Sequence, residues 1–159
     1  MGTRTAALAD QFEQAFDDLA KAVKECPEGR WQEICGPERW TVAATAHHVG
    51  AQLTLEKEYL DAAAQGKPSP TYTWDDINAL NEKRAAANSA IGKDAVLKLL
   101  ADGKASMGAY VRGLDDAQLD KTMALPLADG AEVTLQQLLE GGVLIDHANS
   151  HLKSILATA

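Results

Sequence analysis

A chain of 159 residues with 46% hydrophobic and 24% charged side chains suits one globular domain, here residues 1–159. Its formal charge of −8 at pH 7 repels phosphate backbones and anionic surfaces, so neither nucleic acid nor a membrane is expected as a partner. No apolar run reaches the ~20 residues of a bilayer-spanning helix, and a cytoplasmic protein is therefore expected.

Helical periodicity dominates the first half of the chain. Apolar residues recur at steps of three and four from Leu8 to Val23, which predicts an amphipathic helix over residues 3–25. The sequence CPEGRW ends this helix. Thr41 can then cap a second helix, predicted over residues 41–65 and closed by the sequence QGKPSP.

A third helical region is predicted over residues 75–114. Gly92 interrupts its apolar pattern, so the region is either bent or divided into two segments. The connection over residues 120–133 alternates loosely and has its turn-forming pair at Asp129–Gly130. This pattern indicates an irregular connection or a short hairpin.

The last predicted helix covers residues 134–157. Thr134 and Gln137 form a capping-box pattern at its start. Apolar residues from Leu138 to Leu156 surround almost its whole circumference, which indicates a largely buried helix. Together the four long helices predict an all-α fold, a four-helix bundle.

The four histidines fall into two groups, His47 with His48 and His147 with His151. Residues four apart share one face of a helix, so His147 and His151 can reach one metal ion. Catalytic zinc sites commonly use three protein ligands and leave one position for water, so a third histidine is expected from the other group. His47 and His48 point about 100° apart, and periodicity alone does not choose between them.

Other chemistries are less well supported by the pattern. Ala148 stands where a zinc-protease helix of the His-Glu-x-x-His type has glutamate, and the Glu-x-x-His motif of di-iron bundles does not occur. A polar stripe or a hydrogen-bonded core pair is the alternative interpretation of His147 and His151, but buried imidazoles need partners. Cys26 and Cys35 match no short metal-binding pair, and a structural role is predicted for both.

The stretches WTVAATAHHV and DHANSHLKSI resemble the DinB-like four-helix bundles, and the helix order agrees over nearly the whole chain. The residues that match the family pattern are Trp40, Thr41, His48, Val49, His147 and His151. The resemblance implies that His48, His147 and His151 hold zinc or nickel, with water completing the coordination sphere. His47 is then a packing or solvent-facing neighbour.

Several other polar residues lie at spacings from which they could serve such a site. We interpret three of them mainly as solvated helix surface: Gln52, Glu56 and Glu140. Asp146 is adjacent to His147 but points elsewhere on the helix. Spacing alone suggests that three residues of the third helical region could line an opening: Asn78, Asn81 and Arg84.

An open tri-histidine ion can activate water or a thiol, which is hydrolase or transferase chemistry. A coordination sphere without carboxylates suits an anionic thiolate. The resemblance also implies low-molecular-weight thiols such as mycothiol, bacillithiol or glutathione.

The leading hypothesis is therefore a metal-dependent S-transferase that joins such a thiol to a small electrophile, with its catalytic residues unassigned. The alternatives are a metal-activated hydrolase of a small compound, and a non-catalytic metal-binding bundle or homodimer.

Overall fold

The computed structural model describes residues 2–158, and within that range the chain is predominantly helical with one small β-hairpin. The helices are α1 (Thr3–Glu25), α2 (Val42–Ala51), α3 (Leu53–Ala64), α4 (Trp74–Ala87), α5 (Lys93–Arg112), α6 (Asp116–Leu119), α7 (Leu135–Glu140) and α8 (Ile145–Thr158). The strands are β1 (Thr122–Leu125) and β2 (Ala131–Thr134), and two 3-10 turns cover Glu28–Arg30 and Pro126–Ala128.

Four helical segments form the bundle. Helix α1 packs against α5 and α8, and α2 packs against the same two helices from the other side. Helix α4 lies outside this set and contacts α2. The large side chains at the centre are fully buried: Phe12, Phe16, Leu19, Leu60, Leu100 and Ile155. Burying each of these side chains stabilises the fold by about 1.5–3 kcal/mol relative to leaving it exposed. The arrangement of the helices confirms the predicted four-helix bundle.

The first two predicted helices are present. Residues 3–25 form α1, whose apolar stripe faces the core and brings the Phe12 and Phe16 rings to 4.5 Å between centroids. Thr41 caps α2, since its side chain accepts a hydrogen bond from the Ala44 amide at 3.0 Å. Helix α2 passes into α3 at Gln52, where backbone hydrogen bonds continue in the helical sense.

The third predicted region is divided rather than bent. It forms α4 and α5, and Gly92 occupies the N-cap position of α5. Helix α4 begins with a capping box in which the Thr73 side chain accepts from the Asp76 amide at 3.1 Å. The interruption at Gly92 therefore marks a true helix boundary.

The prediction of one continuous helix over residues 134–157 is wrong. The capping box is present, with Thr134 accepting from the Gln137 amide at 3.0 Å, but α7 ends at Glu140. Gly141 has an extended backbone, and a β-carbon there would lie 2.8 Å from the Gln137 carbonyl oxygen. Because of this break, the direction in which α8 turns its apolar face does not follow from that of α7. The expected burial around the whole circumference is also wrong, because Leu156 is 60% exposed.

The connection before α7 is a hairpin, which confirms one of the two predicted alternatives. Strands β1 and β2 are antiparallel, with Met123 opposite Val133. The turn uses left-handed backbone at Asp129 (φ 55°) and Gly130 (φ 79°), the conformation that glycine adopts without strain. The hairpin is fastened to α4 because Trp74 Nε1 donates to the Leu127 carbonyl at 3.0 Å.

Three further expectations concern the chain as a whole. None of the helices within residues 2–158 combines the length and apolar character that crossing a membrane requires. Cys26 and Cys35 are buried free thiols, and burial raises the pKa of each, which agrees with the predicted structural role. A single domain over residues 1–159 stays a prediction, and Met1 and Ala159 lie outside the described residues.

Candidate metal centre

Three histidines meet where α2 packs against α8. One ring nitrogen each from His48, His147 and His151 lies within 4.8 Å of the others. Nε2 of His147 is 3.1 Å from Nε2 of His48 and 3.2 Å from Nε2 of His151. His47 is half-buried and takes no part in this cluster. The packing of the two helices thus brings together the predicted trio and leaves His47 aside.

Two buried carboxylates lie behind the histidines. Nδ1 of His151 donates to Glu38 Oε1 at 2.8 Å. Glu56 Oε1 is also 2.8 Å from Nδ1 of His147, but it lies away from the direction of the ring N–H, so the contact is close without being a well-aligned hydrogen bond. Each carboxylate side chain is only 7% exposed.

These carboxylates were not predicted as site residues. The solvated-surface interpretation of Glu56 is wrong, since it lies two helical turns after His48 on the same inward face. That spacing was visible in the sequence. Glu38 belongs to the segment between the first 3-10 turn and α2, where no periodicity could have indicated its direction.

Burial controls the protonation of the cluster. It lowers the pKa of His48 to about 2, with smaller contributions from His147 and His151. Burial also lowers the pKa of His151, although the hydrogen bond to Glu38 opposes this shift. Burial raises the pKa of Glu56, and the contact with His147 offsets only part of this rise. His48 is therefore a neutral imidazole, which is the form that binds metals.

The arrangement of nitrogen atoms fits a divalent ion. A carboxylate beside each Nδ1 favours the tautomer with its proton on that nitrogen, so Nε2 of His147 and Nε2 of His151 both carry lone pairs. Two lone pairs that face each other at 3.2 Å repel unless a cation lies between them. Tetrahedral zinc with nitrogen ligands at about 2.0–2.1 Å would separate these nitrogens by about 3.3 Å, close to the observed spacing.

A cavity of about 270 Å³ opens in front of the histidines. Its apolar walls come from helices α3 and α4, the hairpin and the segment before α8: Leu55, Trp74, Ile77, Leu127 and Val143. A larger groove of about 710 Å³ between α1 and α5 contains none of the histidines and is bordered by paired surface charges such as Lys104 with Asp17. The histidine cluster therefore faces the smaller cavity and not the larger groove.

Polar groups complete the wall of the histidine cavity. Gln52 is only 6% exposed, and its Oε1 accepts from Arg84 Nη1 at 2.7 Å, so its interpretation as solvated surface is wrong. The Tyr59 hydroxyl and Asn81 Oδ1 are buried and have no hydrogen-bond partner within residues 2–158. Gln52, Tyr59 and Asn81 all line the cavity and are available to a bound molecule.

The remaining predicted neighbours lie elsewhere. Glu140 is exposed and accepts from Gln136 Nε2 at 2.8 Å, as expected for a solvated surface. Asp146 and Asn78 are exposed and are not part of the cavity wall. Trp40 does contribute, because its ring packs edge-on against His48 at 5.1 Å between centroids and its Nε1 donates to Glu82 at 3.0 Å.

Fold and site together define a helical bundle with a tri-histidine cluster facing a cavity. The DinB superfamily model matches residues 11–155, and the chain belongs to the DinB superfamily, as the sequence resemblance predicted.

Two solved structures show the same fold at low sequence identity. YfiT from Bacillus subtilis, described as a probable metal-dependent hydrolase with an unusual four-helix bundle topology, matches with a TM-score of 0.78 and 18% identity over 99% of this chain and 87% of its own. An uncharacterized protein from Clostridium difficile 630 matches with a TM-score of 0.70 and 14% identity over 94% of this chain and 92% of its own. Among curated proteins, no sequence match was found.

Proposed function

We propose that this protein is a metal-dependent enzyme that binds one divalent ion, zinc or nickel, through His48, His147 and His151 and hydrolyses a small, largely apolar compound. The observation that carries the proposal is the convergence of three Nε2 atoms beside a cavity of about 270 Å³. The description of YfiT as a metal-dependent hydrolase with the same fold supports it.

Each part of the site has a role in this proposal. Glu38 holds the ring of His151 through its hydrogen bond to Nδ1, which aims Nε2 of that ring at the ion, and Glu56 lies 2.8 Å from Nδ1 of His147 on the corresponding side of the second ring. When bound, an ion with three histidine ligands lowers the pKa of a water molecule and polarises a substrate oxygen. The buried position of His48 keeps that ligand neutral and ready to bind.

The amide of Gln52 is the group we assign to the substrate oxygen. Arg84 takes the Gln52 Oε1 atom at 2.7 Å, which leaves the Nε2 donor for the cavity. A fixed donor directed at an oxygen that gains negative charge stabilises the transition state without reorganisation. The buried Tyr59 hydroxyl can donate to the same substrate.

The composition of the cavity favours hydrolysis over thiol transfer. No lysine or arginine lines the cavity in the described part of the chain, whereas glutathione and bacillithiol carry carboxylates that need cationic or hydrogen-bonding partners. In addition, the Glu38 carboxylate behind His151 offsets part of the charge of the ion, which weakens the argument that a carboxylate-free sphere attracts a thiolate. Thiol S-transfer is the second candidate, supported by a ligand set made of nitrogen alone.

The test is a comparison of metal-loaded and metal-free protein against small esters, amides and lactones, with and without added thiols. We expect hydrolysis that requires zinc or nickel, needs no thiol and disappears in His48→Ala. Turnover only with a thiol would replace hydrolysis by S-transfer. Tight metal binding without turnover of any substrate would favour the non-catalytic bundle, and failure to bind metal would contradict every one of these functions.

A further inference from the structure

A second cavity lies directly beside the histidine cavity. It has a volume of about 280 Å³, opens to solvent, and is bordered on one side by the hairpin and α7. The two cavities share five wall residues: Tyr59, Trp74, Leu127, Gly142 and Val143. We call this second space the hairpin cavity. A molecule held at the histidines therefore has apolar space next to it.

The hairpin cavity is apolar. Leu125 and Val133 contribute from the two strands and Leu138 from α7. Gln137 is the one polar side chain other than Tyr59 and Trp74 among the described residues that line it. Covering such a surface with an apolar group lowers the free energy, because apolar walls interact only weakly with water.

Two features of the sequence build the hairpin cavity. The break after α7 places Gly142, which has no side chain, in the shared wall. Trp74 forms another part of this wall, and its hydrogen bond to the Leu127 carbonyl at 3.0 Å holds the ring against the hairpin even though the residue is 57% exposed. The backbone at Gly142 and the Trp74 hydrogen bond therefore shape this shared wall.

We propose that the substrate of this enzyme carries an apolar chain or ring that occupies the hairpin cavity while its reactive polar group lies at the histidines. This inference rests on the proposed function, because it assumes that the polar group binds at the metal centre. The occupant is the same small molecule that reacts, since the two cavities share one wall and their volumes of about 280 and 270 Å³ suit a small molecule. Chain length or ring size then determines substrate preference.

The test uses straight-chain hydroxamates, from acetohydroxamate to octanohydroxamate, titrated calorimetrically into the zinc-loaded protein. The hydroxamate group binds the metal, and only the tail changes along the series. We expect the dissociation constant to fall about fourfold for each added methylene until the hairpin cavity is filled, which corresponds to about 0.8 kcal/mol per buried methylene.

A pair of variants on β2 locates the tail. Val133→Trp places an indole ring in the hairpin cavity and takes up part of its volume, so it should leave acetohydroxamate affinity unchanged while sharply reducing the gain with tail length. Glu132→Trp is the matched control, since Glu132 is exposed on the same strand and lines neither cavity. It should retain the full gain. Circular dichroism establishes that both variants are folded.

The outcomes separate this inference from the proposed function. A dissociation constant that does not change with tail length in the unaltered protein overturns the inference, whatever the variants do, while metal binding and hydrolysis can stand. A length dependence that Val133→Trp preserves also overturns it, because the tail then lies elsewhere. If zinc binds but no hydroxamate does, the ion has no free coordination position for a ligand, and the inference is overturned. If zinc does not bind, the proposed function is overturned, and the inference that rests on it falls with it.

Discussion

Replacing Glu38 with glutamine tests whether the carboxylates behind the histidines control metal binding. Glu38 Oε1 accepts from Nδ1 of His151 at 2.8 Å, and its side chain is only 7% exposed. Glutamine has nearly the same shape and can still present an oxygen to Nδ1, so the main change is the loss of one negative charge. A neutral acceptor polarises the imidazole less than a carboxylate does, so Nε2 of His151 becomes a weaker ligand.

The expected loss can be estimated from similar metal sites. Removing a partner of a metal-binding histidine typically weakens metal affinity 10- to 100-fold, which is about 1.4–2.7 kcal/mol. Exchanging a charge-assisted hydrogen bond of about 1.5–3 kcal/mol for a neutral one of about 0.5–1.5 kcal/mol loses about 1–1.5 kcal/mol, near the lower end of this range. We therefore expect the zinc dissociation constant of Glu38→Gln to rise by about one order of magnitude.

The assay is a competition titration of zinc between the protein and a chromogenic chelator. Glu140→Gln is the control, because it removes the same charge from an exposed residue outside the cavity. It should leave affinity unchanged, and circular dichroism should show both apoproteins folded. Equal affinities for unaltered protein, Glu38→Gln and Glu140→Gln would refute the assignment of Glu38 as a partner of the metal-binding histidine.

Three further predictions test the site and the fold. His48→Ala should abolish tight metal binding while His47→Ala retains it, measured by the same titration, and the reverse result would assign the ligand to His47. Arg84→Met frees the Gln52 amide and should lower kcat by about tenfold or more with metal affinity unchanged, whereas an unchanged kcat would exclude that amide from the reaction. Phe12→Ala removes a fully buried ring and should lower the free energy of unfolding by about 3–5 kcal/mol in urea denaturation; a loss below about 1 kcal/mol would contradict the tight packing of the core.

Much of the fold was predictable because helices depend on residues that are near one another in the chain. The 3.6-residue period predicts α1 and its buried face, and the side chains of Thr41 and Thr134 predict where helices begin. Helix ends were harder to predict. The apolar pattern continues across the two glycines after Glu140 and so predicts no helix end there, whereas the structure shows a break.

The candidate site was partly predictable for the same reason. The spacing of His147 and His151 places both rings on one face of α8 wherever that helix packs. On α2, the choice of His48 over His47 depends on how that helix is rotated against α8, and the residues of α2 alone do not determine this rotation. The family resemblance supplied that choice before the structure placed the three rings together.

By itself, the sequence determined the elements that local interactions control: the helical periods, the caps and the histidine spacing within α8. Only the tertiary structure decided how separate segments meet. It brought Glu38 from a loop to His151, turned Glu56 toward His147, and placed the hairpin beside Trp74 to form a shared wall of the two cavities. These contacts join residues far apart in the chain, and their geometry follows from packing the core, to which no local pattern gives access.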